Sequence, residues 1–191
     1  MLRFCHRCVP LLVLFFGVFC TLSAYSFEVV EEEIRVESPD LVEFENYAGT
    51  PDVFSTAEEI MDIGRFLGQV RELDLAERTF AGRYRLVRAV DPENQNLLQA
   101  DILILLSDAR VDHIDNIRRI LAGYLQKTYA YSSDDAALLA RFITIYNAVH
   151  RRDIDFFAQR YSPAVMEVLD SSTAGLPLSY REWAGNSQIV I

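Results

Sequence analysis

The residues able to do chemistry are mostly carboxylates, and their spacing decides little on its own. Asp153 with Asp155, Asp134 with Asp135, and Asp108, Asp112 and Asp115 are the groupings within a chain of 191 residues. A hydrolytic acid–base pair needs its carboxyl groups about 5 to 9.5 Å apart across a cleft. Asp153 and Asp155 are the pair taken forward as an alternative, an envelope hydrolase working through two acids. Asp134 and Asp135 fit better as the acidic first turn of a helix capped by Ser132 or Ser133. Outside the first residues the histidines are His113 and His150, one early in a helix and one at a helix end. Imidazole and thiolate dominate structural metal sites, so no metal ligand set is expected.

Arg151-Arg152-Asp153 beside His150 resembles a kinase catalytic loop only by accident, because the glycine-rich loop, strand lysine and Asp-Phe-Gly are missing. No nucleophile elbow, phosphate loop or dinucleotide fingerprint is present either. No catalytic residue and no cofactor is therefore assigned, and a non-enzyme is expected. Arg118, Arg119, Arg151 and Arg152 have the chemistry to bind an anion; salt bridges to the acidic surplus are the plainer use. Trp183, the single tryptophan, sits with Tyr180 and Arg181 in a loop bounded by Gly and Pro. Aromatic and arginine side chains anchor interfaces, so Trp183, Tyr180 and Arg181 form the candidate interaction surface. The competing reading has the indole packing the loop onto the core.

The formal charge is −10, and Arg3 and Arg7 lie in a segment expected to be removed, which makes the remainder more acidic still. Such a surface repels phosphate backbones and anionic headgroups, which argues against nucleic acid and against direct membrane-surface binding. Residues 1–26 read as a signal peptide. Arg3, His6 and Arg7 precede the apolar run Val9 to Val18, and Ala24 and Ser26 suit a cut after Ser26. The run is too short to span hydrocarbon as an isolated helix. Cys20 admits a lipoprotein reading, which the bulky Phe19 before it disfavours. Membrane association is thus expected only through an uncleaved or lipidated N-terminus. All three cysteines (Cys5, Cys8 and Cys20) fall in this leader, so the processed domain has no thiol and its stability rests on its core. The destination is an exported protein, periplasmic or associated with the cell envelope.

The elements that must hold these residues follow from periodicity. Residues 27–54 read as an acidic extended lead-in, with a short strand permitted around Glu33 to Val36 and a turn cluster at Asn46 to Pro51. Residues 55–191 read as one globular domain. Its first helix is capped by Ser55, with Glu58 reaching back, and shows the stripe Ile60, Ile63, Leu67 and Val70. Gly64 inside it signals close packing. Arg83 to Val90 reads as a strand with one solvated face, and Asp101 to Leu106 as a buried strand. A helix follows with Ile114, Ile117, Leu121, Tyr124 and Leu125 on one face. The next, from Leu138 to Val149, is apolar on most sides and is expected at the centre. Ile154 to Tyr161 is a third helix, restarted at Ser162-Pro163 with Pro at its first position. Gln188 to Ile191 reads as a strand without a polar tail. The fold class expected is α+β, a predominantly helical single domain with a small β-sheet.

Several stretches resemble the spirochaetal 83/100 kDa antigen family, best known from Borrelia. They are Ile117-Arg118-Arg119-Ile120-Leu121-Ala122-Gly123-Tyr124-Leu125, Ile143-Thr144-Ile145-Tyr146-Asn147-Ala148-Val149 and Asp153-Ile154-Asp155-Phe156-Phe157. Ala174-Gly175-Leu176, Tyr180, Trp183-Ala184-Gly185 and Gln188-Ile189 fit as well, and Asn46-Tyr47 with Gly49 and Ile63-Gly64 with Phe66-Leu67 fit more loosely. The resemblance covers most of the region from Asn46 to Ile191. It implies an exported, immunogenic, envelope-associated protein with a protein partner in the envelope or the host, and no assigned enzymatic activity. Members normally continue into a Lys/Glu-rich helical stretch and a further domain, which together with the abrupt terminal strand leads us to expect a fragment or truncated product.

Overall fold

The computed structural model describes residues 42–49, 56–93 and 96–191. The signal-peptide reading, the strand around Glu33 to Val36 and the proposed cap at Ser55 lie outside these residues. The first helix, α1 (Ala57–Gly68), is capped by Thr56, one residue beyond the expected Ser55. Thr56 Oγ1 accepts the Glu59 N–H at 3.2 Å, and Glu59 reaches back to the Thr56 N–H. Ser55 and Thr56 both satisfy the capping-box pattern because Glu58 and Glu59 are adjacent, so sequence alone leaves the register open by one.

Four strands follow: β1 (Glu77–Phe80), β2 (Tyr84–Ala89), β3 (Ala100–Leu105) and, at the end, β4 (Ser187–Val190). They form one antiparallel sheet in the order β1-β2-β3-β4. Strand β1, short and polar, carries little apolar signal and goes unread in the sequence. It is fixed by the hairpin to β2, where Ala81 and Gly82 both take positive φ and the Arg83 N–H returns to the Phe80 carbonyl at 2.9 Å. Between β3 and β4 run α2 (Ile114–Tyr129), α3 (Ser133–Val149), α4 (Ile154–Arg160) and α5 (Pro163–Val168). The class is α+β and mostly helical, as expected.

Alternation along the strands sends their side chains into two cores. Tyr84, Leu86, Leu103, Leu105 and Ile189 join α1 and α2 on one face. Ala100, Ile102, Ile104 and Val190 meet Phe157 of α4 and Val165 of α5 on the other. Helix α2 is the central one, burying Ile114, Ile117 and an unbroken run from Ile120 to Leu125. This corrects the expectation for α3, which buries only its small and polar stripe of Ala136, Ala140, Thr144 and Asn147, with Ile145, and leaves Leu138 and Val149 exposed. Its all-round apolar composition misled because its outer face, with Leu138 and Val149, covers nothing among the described residues.

Helices α1 and α2 cross at glycines. A methyl at Gly64 would strike the Ile120 carbonyl, and one at Gly123 the Met61 carbonyl. The expected close packing at Gly64 is therefore backbone against backbone.

Strand β4 lies at a sheet edge yet is covered. The Asn147 side chain, fully buried, accepts the Val190 N–H and donates to the Val190 carbonyl, both at 2.8 Å, in the manner of a further strand. Thr173 and Gly175 pair with Gln188 beside it. Ser162 stands at the α5 N-cap with Pro163 first in the helix, as read. Its hydroxyl makes no cap and bonds Gln99 Oε1 at 3.2 Å instead. Among the described residues no helix is long and apolar enough to cross a membrane.

Candidate functional site

Residues 42–49, grouped by sequence with the lead-in, lie on the globular body. Their extended backbone alternates: Phe44 turns inward to the core while Glu45 and Tyr47 turn outward. The segment is held through its middle residues, Glu45 to Tyr47. Glu45 N–H donates to the Leu178 carbonyl at 2.9 Å and its carbonyl accepts from Tyr180 at 3.0 Å. Asn46 Oδ1 accepts the Ile114 N–H at 2.7 Å, capping the start of α2.

This pairing builds the surface around the candidate trio, and it divides the trio. Trp183 is 0% exposed, its ring edge-on to Phe44 and its Nε1–H donating to the Pro177 carbonyl at 2.7 Å. The indole therefore pins the loop to the core and is not a contact residue, a correction to its place in the candidate surface. Satisfying its single donor on a backbone carbonyl inside the loop is what makes full burial affordable. Tyr180 and Arg181 remain at the surface. Tyr180 packs edge-on to Tyr47 at 5.7 Å, and Arg181 reaches Glu45 at 3.6 Å. With Leu178, 50% exposed, and Tyr47, 44% exposed, they make a face of two aromatic rings, an aliphatic side chain and an arginine.

The most perturbed groups lie elsewhere. Asp101, at the start of β3, is fully buried. Its Oδ2 accepts from the Tyr124 hydroxyl and from Arg71 Nη2 at 3.3 Å, while Oδ1 has no hydrogen-bond partner among the described residues. Arg71 Nη2 also donates to the Tyr129 hydroxyl at 2.7 Å, and its guanidinium lies 4.6 Å from that ring's centre. Burial, followed by the charge of Asp101, pushes the Tyr124 hydroxyl far above the usual tyrosine range, and Tyr129 is raised for the same reasons. Both hydroxyls stay protonated at neutral pH, Tyr124 donating to Asp101 and Tyr129 accepting from Arg71. The cluster is an internal tie between β3, α1's exit and α2. It was illegible in sequence because Asp101 reads as the polar flank of an apolar strand.

The remaining candidates are dispersed. Asp153 caps α4, accepting the Phe156 N–H at 3.0 Å, and both it and Asp155 are exposed. Ser132, at the predicted position, caps α3 through the Asp135 N–H. His113 caps α2 through Nδ1, and His150 stacks on Phe156 with ring centres 3.4 Å apart. Among the described residues no three His, Cys, Asp or Glu side chains gather as a metal site.

The four arginines separate as well. Arg118 pairs with Asp115 at 3.4 Å. Arg119, Arg151 and Arg152 instead donate to the Asn116 side chain and to the Asn186 and Ser172 carbonyls. Among the described residues, salt bridging, the expected use, holds for one of the four.

The sequence model of the family described as Borrelia P83/100 protein matches residues 32–191. No curated protein and no solved structure matches the chain.

Proposed function

The chain belongs to the Borrelia P83/100 protein family, an antigen family, and from that premise we propose that this domain is a non-enzymatic contact module of an exported, envelope-associated protein. The observation that carries the reading is the face of Tyr47, Leu178, Tyr180 and Arg181. An exposed aromatic ring, a half-buried one packed edge-on to it and an exposed arginine, set on backbone hydrogen bonds between two segments, form a preorganised anchor of the type that concentrates binding energy. The signal-like leader supports export. The alternative of a hydrolase built on Asp153 and Asp155 has no observation in its favour, since both acids face solvent and one serves as a helix cap.

A photo-crosslinking residue placed at Leu178 in cells, with mass-spectrometric identification of adducts, tests the reading. The expected result is one reproducible protein adduct, lost on Arg181→Glu and absent when the crosslinker sits at exposed Glu167. Equal adduct patterns from both positions would remove this face as the contact surface.

A further inference from the structure

The buried end of the sheet leaves one acceptor and one donor over, on residues that face each other. Asp101 on β3 and Arg88 on β2 are directly opposed in the antiparallel ladder. Their side chains therefore leave the sheet on the same side, with Cβ atoms about 5 Å apart. The Asp101 side chain is wholly buried, both of its donors, Tyr124 and Arg71, sit on Oδ2, and Oδ1 accepts nothing among the described residues. Arg88 Nε is likewise buried with no acceptor among them. A buried carboxylate oxygen without a donor is costly, and a guanidinium is the donor best able to offset that cost.

The outer end of Arg88 is engaged elsewhere. Its Nη1 lies 3.5 Å from Asp74, whose side chain is fully exposed, and a pair so open to water contributes little. Asp74 stands in the connection between α1 and β1, in left-handed backbone at φ 48°, between the exposed Leu73 and Leu75. Ion pairs tie that connection down through Arg71 to Asp101 at 3.3 Å, Glu72 to Lys127 at 2.7 Å and Asp74 to Arg88, the last being the longest. Beyond Asp74 the Arg88 N–H holds the Ala76 carbonyl at 2.8 Å. Movement of the connection is thereby confined to residues 73–75.

We propose that Arg88 is a two-position latch. Its guanidinium exchanges between Asp74, where it holds the connection down, and Asp101 Oδ1, where it satisfies the buried carboxylate and lets residues 73–75 lift. Arg71 keeps Oδ2 in both positions, so the cluster stays closed while the connection moves. The two positions balance because the outer one leaves a buried oxygen bare, while the inner one takes more of the guanidinium out of water. Lifting frees the Leu75 N–H, which donates to the Val70 carbonyl at 2.9 Å in the held position.

The test is Asp74→Asn, which removes the outer position at a fully exposed side chain and keeps a residue at ease in left-handed backbone. Hydrogen exchange is followed by NMR at Arg88 Nε–H and at the Leu75 amide, with the parent protein as reference. The Arg88 Nε–H is expected to exchange about tenfold more slowly as the guanidinium settles on Asp101, and the Leu75 amide about tenfold faster. Arg88→Gln added to the Asp74→Asn protein is expected to raise the unfolding constant in urea a further fivefold or so, because the contact with Asp101 is still there to lose. Arg88 Nε–H exchange that is unchanged or faster, an unchanged Leu75 amide, or no further destabilisation by Arg88→Gln would each overturn the proposal.

Discussion

The two faces of the sheet are packed by opposite means. On one face, α1 and α2 bring backbone against backbone at Gly64 and Gly123, and a buried carboxylate, two tyrosines and an arginine close the end of the interface. On the other, α4 and α5 press bulky apolar side chains, Phe157 and Val165, onto small or aliphatic strand residues such as Ala100 and Ile102. The first face depends on what is missing from two side chains and on hydrogen bonds to a buried carboxylate. The second depends mainly on apolar volume. Interiors near crystal density tolerate neither an added atom on the first face nor a removed one on the second.

The largest expected effect comes from emptying the second face. Phe157→Ala removes a fully buried ring flanked by Tyr146, Phe156 and Tyr161, and urea denaturation is expected to register a loss of about 4 kcal/mol. A loss under about 1 kcal/mol would mean that α4 and α5 collapse into the space and that this face is loosely determined.

Overfilling the first face comes next. In an isolated helix Gly→Ala stabilises by about 1 kcal/mol. Gly64→Ala is expected to reverse that sign and destabilise by about 3 kcal/mol, because the Ile120 carbonyl cannot yield without separating the helices. A stabilised variant would show that the crossing has slack.

The polar end of the first face gives the smallest effect and a distinct pH signature. Tyr124→Phe removes a donor to Asp101, at an expected cost of about 1.5 kcal/mol near neutral pH. The pKa values of Tyr84, Tyr124 and Tyr129 are all raised, burial being the first cause in each. A raised folded-state value means that the unfolded chain releases its proton first. The contribution is whole below about pH 10 and is lost as pH climbs above it. Denaturation midpoints measured from neutral to alkaline pH should therefore fall above that value, and less steeply in the Tyr124→Phe protein. A flat profile would detach these hydroxyls from stability.

The legibility of the molecule differs between these same regions. Phe157, Val165, Pro163 and the strand Asp101 to Leu106 were readable because period, length and a proline at the first helical turn are local signals. Gly64 was readable as an anomaly in a helix, although its partner Gly123 was not, since nothing local pairs two glycines from different helices. The Asp101 cluster joins residues far apart in the chain, and no spacing announces it. Composition singled out Tyr180 and Arg181, and the structure leaves both at the surface. The same rule misplaced Trp183, because an aromatic–arginine loop looks alike whether its indole faces solvent or core.

Sequence by itself determined the class of fold, the positions of the main helices and three of the four strands, the anionic character and the family resemblance. Each of these rests on near-neighbour periodicity or on summed composition. Tertiary structure alone decided that α2 and not α3 is central, that Asn147 completes the sheet edge at Val190, and that the segment from Val42 to Gly49 belongs to the body. These depend on which surfaces meet, and burial and pairing of polar groups are properties of the contact between segments rather than of either segment alone.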